Sequence, residues 1–286
     1  MEEGSKNIQA FHLAGVVPVA GPKLDFGFPW HDSMQPIAKN YLAVERSVVE
    51  CAYAGCETIW VVCNDDMQPL IKHRLGDYIE DPYYLDKASF VRHPSEHRRQ
   101  IPIFYTPIHP KDRDRRDSLG WSAIHGALTA FIISDKISKW TIPSRYYISF
   151  PYGVYQPWEV YKHRKRISGK KPFFITHEGK TVKDGEYLAF TFDAEEYKTY
   201  VSNVRNNCTG GNTNLSPDKR WSSRFFGIDK IFNSDIIDKE LLDVSWYYKI
   251  DSWDGYRNYI TSDESRSVKC PGKSLLKRAK YKNGEN

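Results

Sequence analysis

AGVVPVAGPKLDFGFPWHDSMQPIAKNY, residues 14–41, decides how this chain is read. A short β-branched run at 16–20 ends in Gly21, and a polar, proline-bearing loop leads from there towards a helical pattern. Apolar strand, glycine turn, polar loop and helix is how many α/β proteins begin a phosphate or nucleotide pocket. The glycine spacing of a dinucleotide fingerprint or a P-loop is missing from this loop. The stretch therefore speaks for an α/β start and leaves its ligand open.

Working outward, residues 40–54, NYLAVERSVVECAYA, put Leu42, Val44, Val48, Val49, Ala52 and Tyr53 near helical spacing, and Gly55 is a natural stop. TIWVVC at 58–63 reads as a second buried strand. A further helix follows, for which Asn64 or Asp65 supplies a cap and Pro69 restricts the start. Strand, helix and strand at this spacing form a βαβ unit, hence a parallel sheet with right-handed crossovers. The alternation continues with a strand at 103–107, a helix at 121–134 with Ile124, Leu128, Phe131 and Ile132 on one side, a strand at 146–150 and a helix at 157–167. Residues 172–177 and 186–192 read as antiparallel or edge strands around the turn-rich EGKTVKDG. Beyond a loop rich in turn formers at 206–220, residues 229–242 carry a helical pattern, 244–253 read as a final strand, and a helix from 254 to about 261 closes the fold. The expectation is one three-layer, Rossmann-like α/β domain over 13–265 with a mixed, mostly parallel sheet. A flexible N-terminus at 1–12 and a basic tail at 266–286 flank it.

Composition narrows the function classes. At 286 residues the chain can bury a substantial core. Its 40% hydrophobic and 27% charged residues are those of a soluble globular protein, and no apolar run is long enough to span a membrane. The net charge of +5 is too small and dispersed to make the whole chain a nucleic-acid binder. Lys269, Lys273, Lys277, Arg278, Lys280 and Lys282 concentrate positive charge in the tail, either a solvated terminus or an arm for an acidic partner such as nucleic acid. Five cysteines show neither a CxxC pair nor zinc-ligand spacing. Their odd number, behind the polar start MEEGSKNIQA, points to reduced thiols and a cytoplasmic location.

Ligands of such sheets sit beyond the carboxyl ends of the parallel strands. Three segments mark that end. The first is the loop after VVPVAG. The second is RDSLGWSAIHGAL (116–128), where Leu119, Gly120, Trp121 and Ser122 lead into a helix whose first N–H groups are open to an acceptor. The third is YKIDSWDGYRNYI (248–260), which places Asp251 at a strand end, a position suited to a Mg²⁺ ligand. Singly, each also reads as an ordinary cap or turn. SFPYGVYQPW (149–158) is an aromatic cluster serving either as strand-end packing or as a ring platform, and HPSEHRR (93–99) reads as surface. No Ser-His-Asp order, nucleophile elbow or P-loop is visible.

Taken in order, the VVPVAG strand, the HDSMQPIAKNYLAVERSVVECAYAGCETIWVVCND segment, GWSAIHGAL and IDSWDGY resemble the sugar-phosphate nucleotidyltransferase (nucleotide-sugar pyrophosphorylase) family, whose fold is GT-A-like. The resemblance runs over roughly residues 13–260 and is carried by those patches. It implies transfer of a nucleotidyl group from a nucleoside triphosphate to a sugar phosphate, giving a nucleotide sugar, with Mg²⁺ as cofactor. It implies that Val19, Ala20 and Gly21 lie against the nucleobase through their backbone, and that Gly120 and Trp121, with Ser122 in the same turn, face the base or ribose. Lys23 then stands nearest the residue that steadies the triphosphate, and Asp251 matches a metal-binding carboxylate. The implied partners are the nucleotide and the sugar phosphate, with no membrane and with nucleic acid only through the basic tail.

The chain departs from that family at three places. The GxGTR loop is shortened to GPKLDFGF, without its glycine pair and arginine. The lysine of the family's PK element aligns with His31 and Asp32, and the aspartate of its GD element falls within FPYG at 150–153, which has no acid. Asp25, Asp32 and Asp117 are candidate replacements for the acid, and Lys111, Arg113, Arg115 and Arg116 for the cations. The alternatives are a protein that keeps the fold for binding or structure without the chemistry, and a GT-A glycosyltransferase, whose DxD motif would have to be DRD at 112–114.

Overall fold

The computed structural model describes residues 11–21, 27–87, 100–113, 118–137, 141–207, 227–234 and 238–271, with backbone alone at 85–87 and 113. Strand β1 (Leu13–Pro18) is buried at every position, because helices cover both faces of the sheet around it. Leu13 and Val17 face one apolar layer and Ala14 and Val16 the other. After the first loop, β2 (Pro36–Ala38) and β3 (Tyr41–Leu42) form a small antiparallel ribbon that turns at Asn40, where φ is +59°. That ribbon delays helix α1 (Ala43–Ala54) by three residues relative to the sequence pattern. The Glu45 carboxylate accepts from the Leu42 N–H at 2.8 Å at its start, and Gly55 stops it with φ +93°, a conformation open to glycine at little cost.

Strand β4 (Thr58–Val62) pairs in parallel with β1. Helix α2 (Gln68–Leu75) begins at Met67 rather than at an Asn64 or Asp65 cap, since Pro69 fits only in the first turn. Next come β5 (Tyr78–Glu80), α3 (Pro82–Lys87), β6 (Gln100–Thr106) and α4 (Pro110–Arg113). Helix α5 (Leu119–Ile132) starts two residues before its apolar pattern because the Ser118 hydroxyl caps it, accepting from the Trp121 N–H at 3.1 Å. Its buried face is made of small residues, Ala123, Gly126, Ala127 and Ala130 beside Ile124, whereas Phe131 and Ile132, expected there, are 39% and 37% exposed. Gly126 makes the close approach possible: a Cβ there would stand 2.6 Å from Val16 Cγ1 and 2.8 Å from Val62 Cγ2. A wider helical turn, Ile133–Ile137, ends this element.

The second half carries β7 (Arg145–Ile148), β8 (Gly153–Val154), α6 (Pro157–Lys162), α7 (Arg164–Ile167), β9 (Phe173–Thr176), β10 (Phe190–Phe192) and α8 (Ala194–Asn207). The sequence pattern missed α8, although Asp193 and Glu196 bracket its start as a capping pair: Asp193 accepts from the N–H of Glu195 and Glu196, and the Glu196 side chain accepts from the Asp193 N–H. The expected helix at 229–242 is absent among the described residues. Instead Ile228–Lys230 forms a short 3-10 turn, and β11 (Glu240–Asp243) lies at the sheet edge, where alternation of Leu241 and Leu242 suits a strand with one covered face. Of the final strand expected over 244–253, only β12 (Tyr248–Lys249) forms, paired with β8. Helices α9 (Trp253–Ile260) and α10 (Asp263–Ser267) follow.

Among the described residues the main sheet has eight strands in the order β11-β9-β10-β7-β1-β4-β6-β5. Its centre, β7-β1-β4-β6, is parallel throughout. Strands β10 and β5 run antiparallel to their neighbours, and β11 runs parallel to β9. This is the mixed, mostly parallel three-layer sheet expected from the alternation.

One polar network crosses the α1 layer. Arg46 and Glu50, both fully buried, pair at 2.6 Å. The hydroxyls of Tyr147 and Tyr155 donate to Glu50 at 2.7 and 2.6 Å, Arg46 donates to the Phe150 carbonyl at 2.9 Å, and its guanidinium lies 4.6 Å from the Tyr155 ring centroid. Arg46→Ala is expected to lower the unfolding free energy by about 3–5 kcal/mol, because it leaves Glu50 charged, dry and without its cation. The double change Arg46→Met with Glu50→Leu is expected to recover part of that loss, read by urea denaturation at constant m-value.

Candidate functional site

The chain leaves β1 for β4 and β6 on one side, then returns to place β7 on the other. The strand order thus reverses beside β1, and the crevice outside the carboxyl ends of β1 and β7 is the switch point at which open α/β sheets bind ligands. Val19, Ala20 and Gly21 form one lip of it. The N–H groups of Val19 and Ala20 both donate to the Val62 carbonyl, at 2.8 and 3.0 Å. The Val19 carbonyl accepts from the Tyr152 hydroxyl at 2.8 Å and the Ala20 carbonyl from the Ser122 hydroxyl. The lip is therefore held by its neighbours on three sides. Gly21 has φ +92°, and a Cβ there would meet the Ser118 backbone at 2.7 Å, so the chain turns tightly against the start of α5.

Gly120, Trp121 and Ser122 lie inside the first turn of α5 rather than ahead of it. The room that Gly120 leaves is taken by Ile231, whose Cδ1 lies 2.1 Å from the position of a Cβ. Trp121 is 6% exposed within the cluster that holds Ala20 and Ile108. Lys23 and two of the candidate acids, Asp25 and Asp117, lie outside the described residues, as do Arg115, Arg116 and the Arg113 side chain. Lys111 is exposed on α4. Within the aromatic cluster at 149–158, Phe150, Tyr152 and Tyr155 are fully buried core residues, and Trp158 is 44% exposed.

Asp251 reaches the same crevice from the far end of the chain. Ile250 donates its N–H to the Tyr152 carbonyl at 2.8 Å, and the Gln35 side chain donates to the Ile250 carbonyl at 3.0 Å, so the first loop, the loop after β7 and the end of β12 are tied at one point. The Tyr187 hydroxyl donates to the Asp251 carboxylate, and Lys249 Nζ lies 3.8 Å from it. Burial pushes the Asp251 carboxyl above its ordinary value, outweighing the opposing pull of Lys249 and Tyr187. Asp32, 1% exposed, adds its charge to the surroundings of Tyr152 and Tyr187, whose hydroxyls burial already pushes up. His31 caps the short turn at Asp32–Met34 by accepting from the Ser33 N–H through Nδ1 at 3.3 Å. Burial lowers its pKa, so it carries little charge at pH 7.

Beside Asp251 opens a cleft of about 300 Å³ lined by His177, Glu178, Lys180, Glu186, Tyr247 and Lys249, with Gly255 and Asn258 of α9. Sequence reasoning missed Gln35, Tyr152, Tyr187 and Lys249 as parts of the site. Lys249 carried a signal in its place two residues before Asp251, and Tyr152 in the aromatic cluster at 149–158. Among the described residues no group of three His, Cys, Asp or Glu side chains converges on a common metal position, Cys51, Cys56, Cys63 and Cys270 form no disulfide, and no helix is long and apolar enough to cross a membrane.

No family model matches the sequence, and no curated protein matches it. Solved structures do match the fold. A Bacillus anthracis protein assigned as a glucose-1-phosphate thymidylyltransferase, in complex with sucrose, superposes with a TM-score of 0.56 at 7% identity over 92% of this chain and 98% of that one. UDP-glucose pyrophosphorylase complexed with UDP-glucose superposes with a TM-score of 0.50 at 11% identity, over 90% and 98%. The apo form of a UDP-glucose pyrophosphorylase gives 0.50 and 11% over 90% and 100%. The chain has a divergent sugar-nucleotidyltransferase-like fold, as the resemblance in the sequence implied.

Because folding raises the Asp251 pKa, ionising that group costs stability above the ordinary aspartate value of 3.8 and costs nothing below it. Asp251→Asn is therefore expected to melt above wild type at pH 7, with the gap closing as the pH falls below 4. Thermal unfolding across that range checks the sign, and a gap independent of pH would show that burial does not govern this carboxylate.

Proposed function

We propose that the chain is a sugar-phosphate nucleotidyltransferase, joining the nucleotidyl group of a nucleoside triphosphate to a sugar phosphate. The observation that supports this best is the placement of a half-buried carboxylate, Asp251, at the switch-point crevice, tied through Ile250 and Tyr152 to the Val19–Gly21 lip. In this reading the nucleobase lies along Val19, Ala20 and Gly21, with Gly120, Trp121 and Ser122 behind it. The N–H groups of Val19 and Ala20 are already engaged, whereas each carbonyl keeps a second lone pair for a base donor. Lys23 stands nearest the triphosphate. The 300 Å³ cleft beside Asp251 receives the sugar phosphate, with Glu178 and Glu186 available to accept from sugar hydroxyls.

The donor set fits Mg²⁺, which takes one or two carboxylates and completes its shell with phosphate oxygens and water. Asp251 would hold it, with Asp32 the other buried acid of the site and none at 150–153. When bound, Mg²⁺ would neutralise charge on the phosphates. The acceptor's phosphate oxygen attacks the α-phosphorus in line, a new P–O bond forms, the α–β bridging bond breaks and pyrophosphate leaves. That reaction asks the protein mainly for positioning and charge stabilisation. The UDP-glucose in one of the similar structures is the class of product this reading implies.

A second reading, a binding protein that keeps the fold without transfer, is favoured by the missing acid at 150–153 and by His31 and Asp32 in place of a lysine. The two separate experimentally. Nucleoside triphosphates with Mg²⁺ are expected to raise the melting temperature, and pyrophosphate exchange is expected in wild type and lost, by about 100-fold or more, in Asp251→Ala. No thermal response to any nucleotide rejects both readings, and a thermal response without exchange selects the second.

A further inference from the structure

Residues 31 and 32 offer the site no strong cation, and one stands elsewhere. Where the resembled family has a lysine, this chain has His31, occupied as a turn cap and made weakly basic by burial, and the buried acid Asp32. Lys249 stands over the ring of Tyr187. Its ammonium donates to the Gly185 carbonyl at 3.1 Å, lies 4.9 Å from the Tyr187 ring centroid and 3.8 Å from Asp251, and lines the cleft while its side chain remains 40% exposed. Asp32 and Lys249 both act on Tyr187, so the cation of this neighbourhood stands on β12 rather than at residues 31–32.

We propose that Lys249 is the phosphate-binding residue of the acceptor cleft, supplying on the last strand a cation that His31 and Asp32 do not. The inference rests on the proposed function for the identity of the acceptor. A phosphate dianion entering the cleft meets two lysines, Lys180 and Lys249, of which Lys249 adjoins Asp251. Its ammonium has three donor hydrogens, and the Gly185 carbonyl uses one. A phosphate held by the others lies beside the carboxylate assigned to the metal, where its oxygen must be to attack the α-phosphorus. The tyrosine face and the Gly185 carbonyl hold the ammonium in place before the ligand arrives. Glu178 and Glu186 repel a phosphate from the remainder of the cleft, which fixes the direction in which a sugar phosphate enters.

The test is calorimetric titration of wild type, Lys249→Met, Lys249→Gln, Lys249→Arg and Lys180→Met with glucose 1-phosphate, glucose and inorganic phosphate. Lys249→Gln keeps a donor for the Gly185 carbonyl, and melting curves confirm that each variant is folded. Lys249→Met and Lys249→Gln are expected to weaken glucose 1-phosphate by about 10- to 100-fold and to leave glucose unchanged. Lys249→Arg is expected to retain affinity within about threefold, and Lys180→Met to lose less than Lys249→Met. Wild-type affinity for glucose 1-phosphate in the folded Met and Gln variants would overturn the assignment, as would a wild type that binds neither phosphate probe. Lys249-dependent phosphate binding in a protein that shows no pyrophosphate exchange would reject the reaction and keep the residue.

Discussion

A charged pair with no water around it sets the terms for this structure. Arg46 and Glu50 face each other inside α1, and removing both from water costs several kcal/mol per ion unless their remaining hydrogen-bonding capacity is met. Two tyrosines and the Phe150 carbonyl contribute to meeting it. Tyr147 belongs to β7, Tyr155 follows β8, and Phe150 stands between these strands, so the requirement of one helix for partners dictates the path of the chain out of the sheet centre. That path brings Tyr152 to the Val19 carbonyl and Ile250 to the Tyr152 carbonyl. The crevice is shaped from below by a solvation constraint and only then offered to a ligand.

The same constraint explains how the loop after β7 keeps its form without an acid. In the resembled family that position carries a carboxylate. Here the backbone of residues 150–153 is anchored by Arg46 and by the pairing of β8 with β12, so its conformation needs no metal to hold it. The charges around this frame are Asp32, buried in the first loop, and Lys249, which faces the cleft beside Asp251, while burial lowers the His31 pKa. A frame fixed by packing tolerates such exchanges, because electrostatic stabilisation depends on where a charge sits and not on which strand supplies it.

Much of the frame was legible in the order of residues. The β-branched runs at 16–20 and 58–63 and the glycine stop at 55 specify a βαβ unit by local sterics. The place of Asp251 close to a strand end was legible too, two residues beyond β12. Two of the misreadings share one cause. Periodicity reports which residues are apolar without saying what covers them, so Phe131 and Ile132 were assigned to the core while alanine and glycine in fact make the buried face of α5. Leu241 and Leu242 similarly suggested a helix where β9 offered an edge to pair with. The capping pair at Asp193 and Glu196 was a local signal present and overlooked.

By itself the sequence determined the class of fold, the parallel centre of the sheet and the positions of the glycines on which the first turn depends, because these follow from backbone sterics and short-range apolar spacing. The tertiary structure alone decided which residues share a site. Gln35 meets Ile250, Tyr152 meets Val19 and Tyr187 meets Asp251 across large separations in the chain, and the first two meetings are enforced by a buried polar group that must find its partner away from water. Hydrogen-bond satisfaction acts on distance in space, and that distance is not written in the spacing of residues.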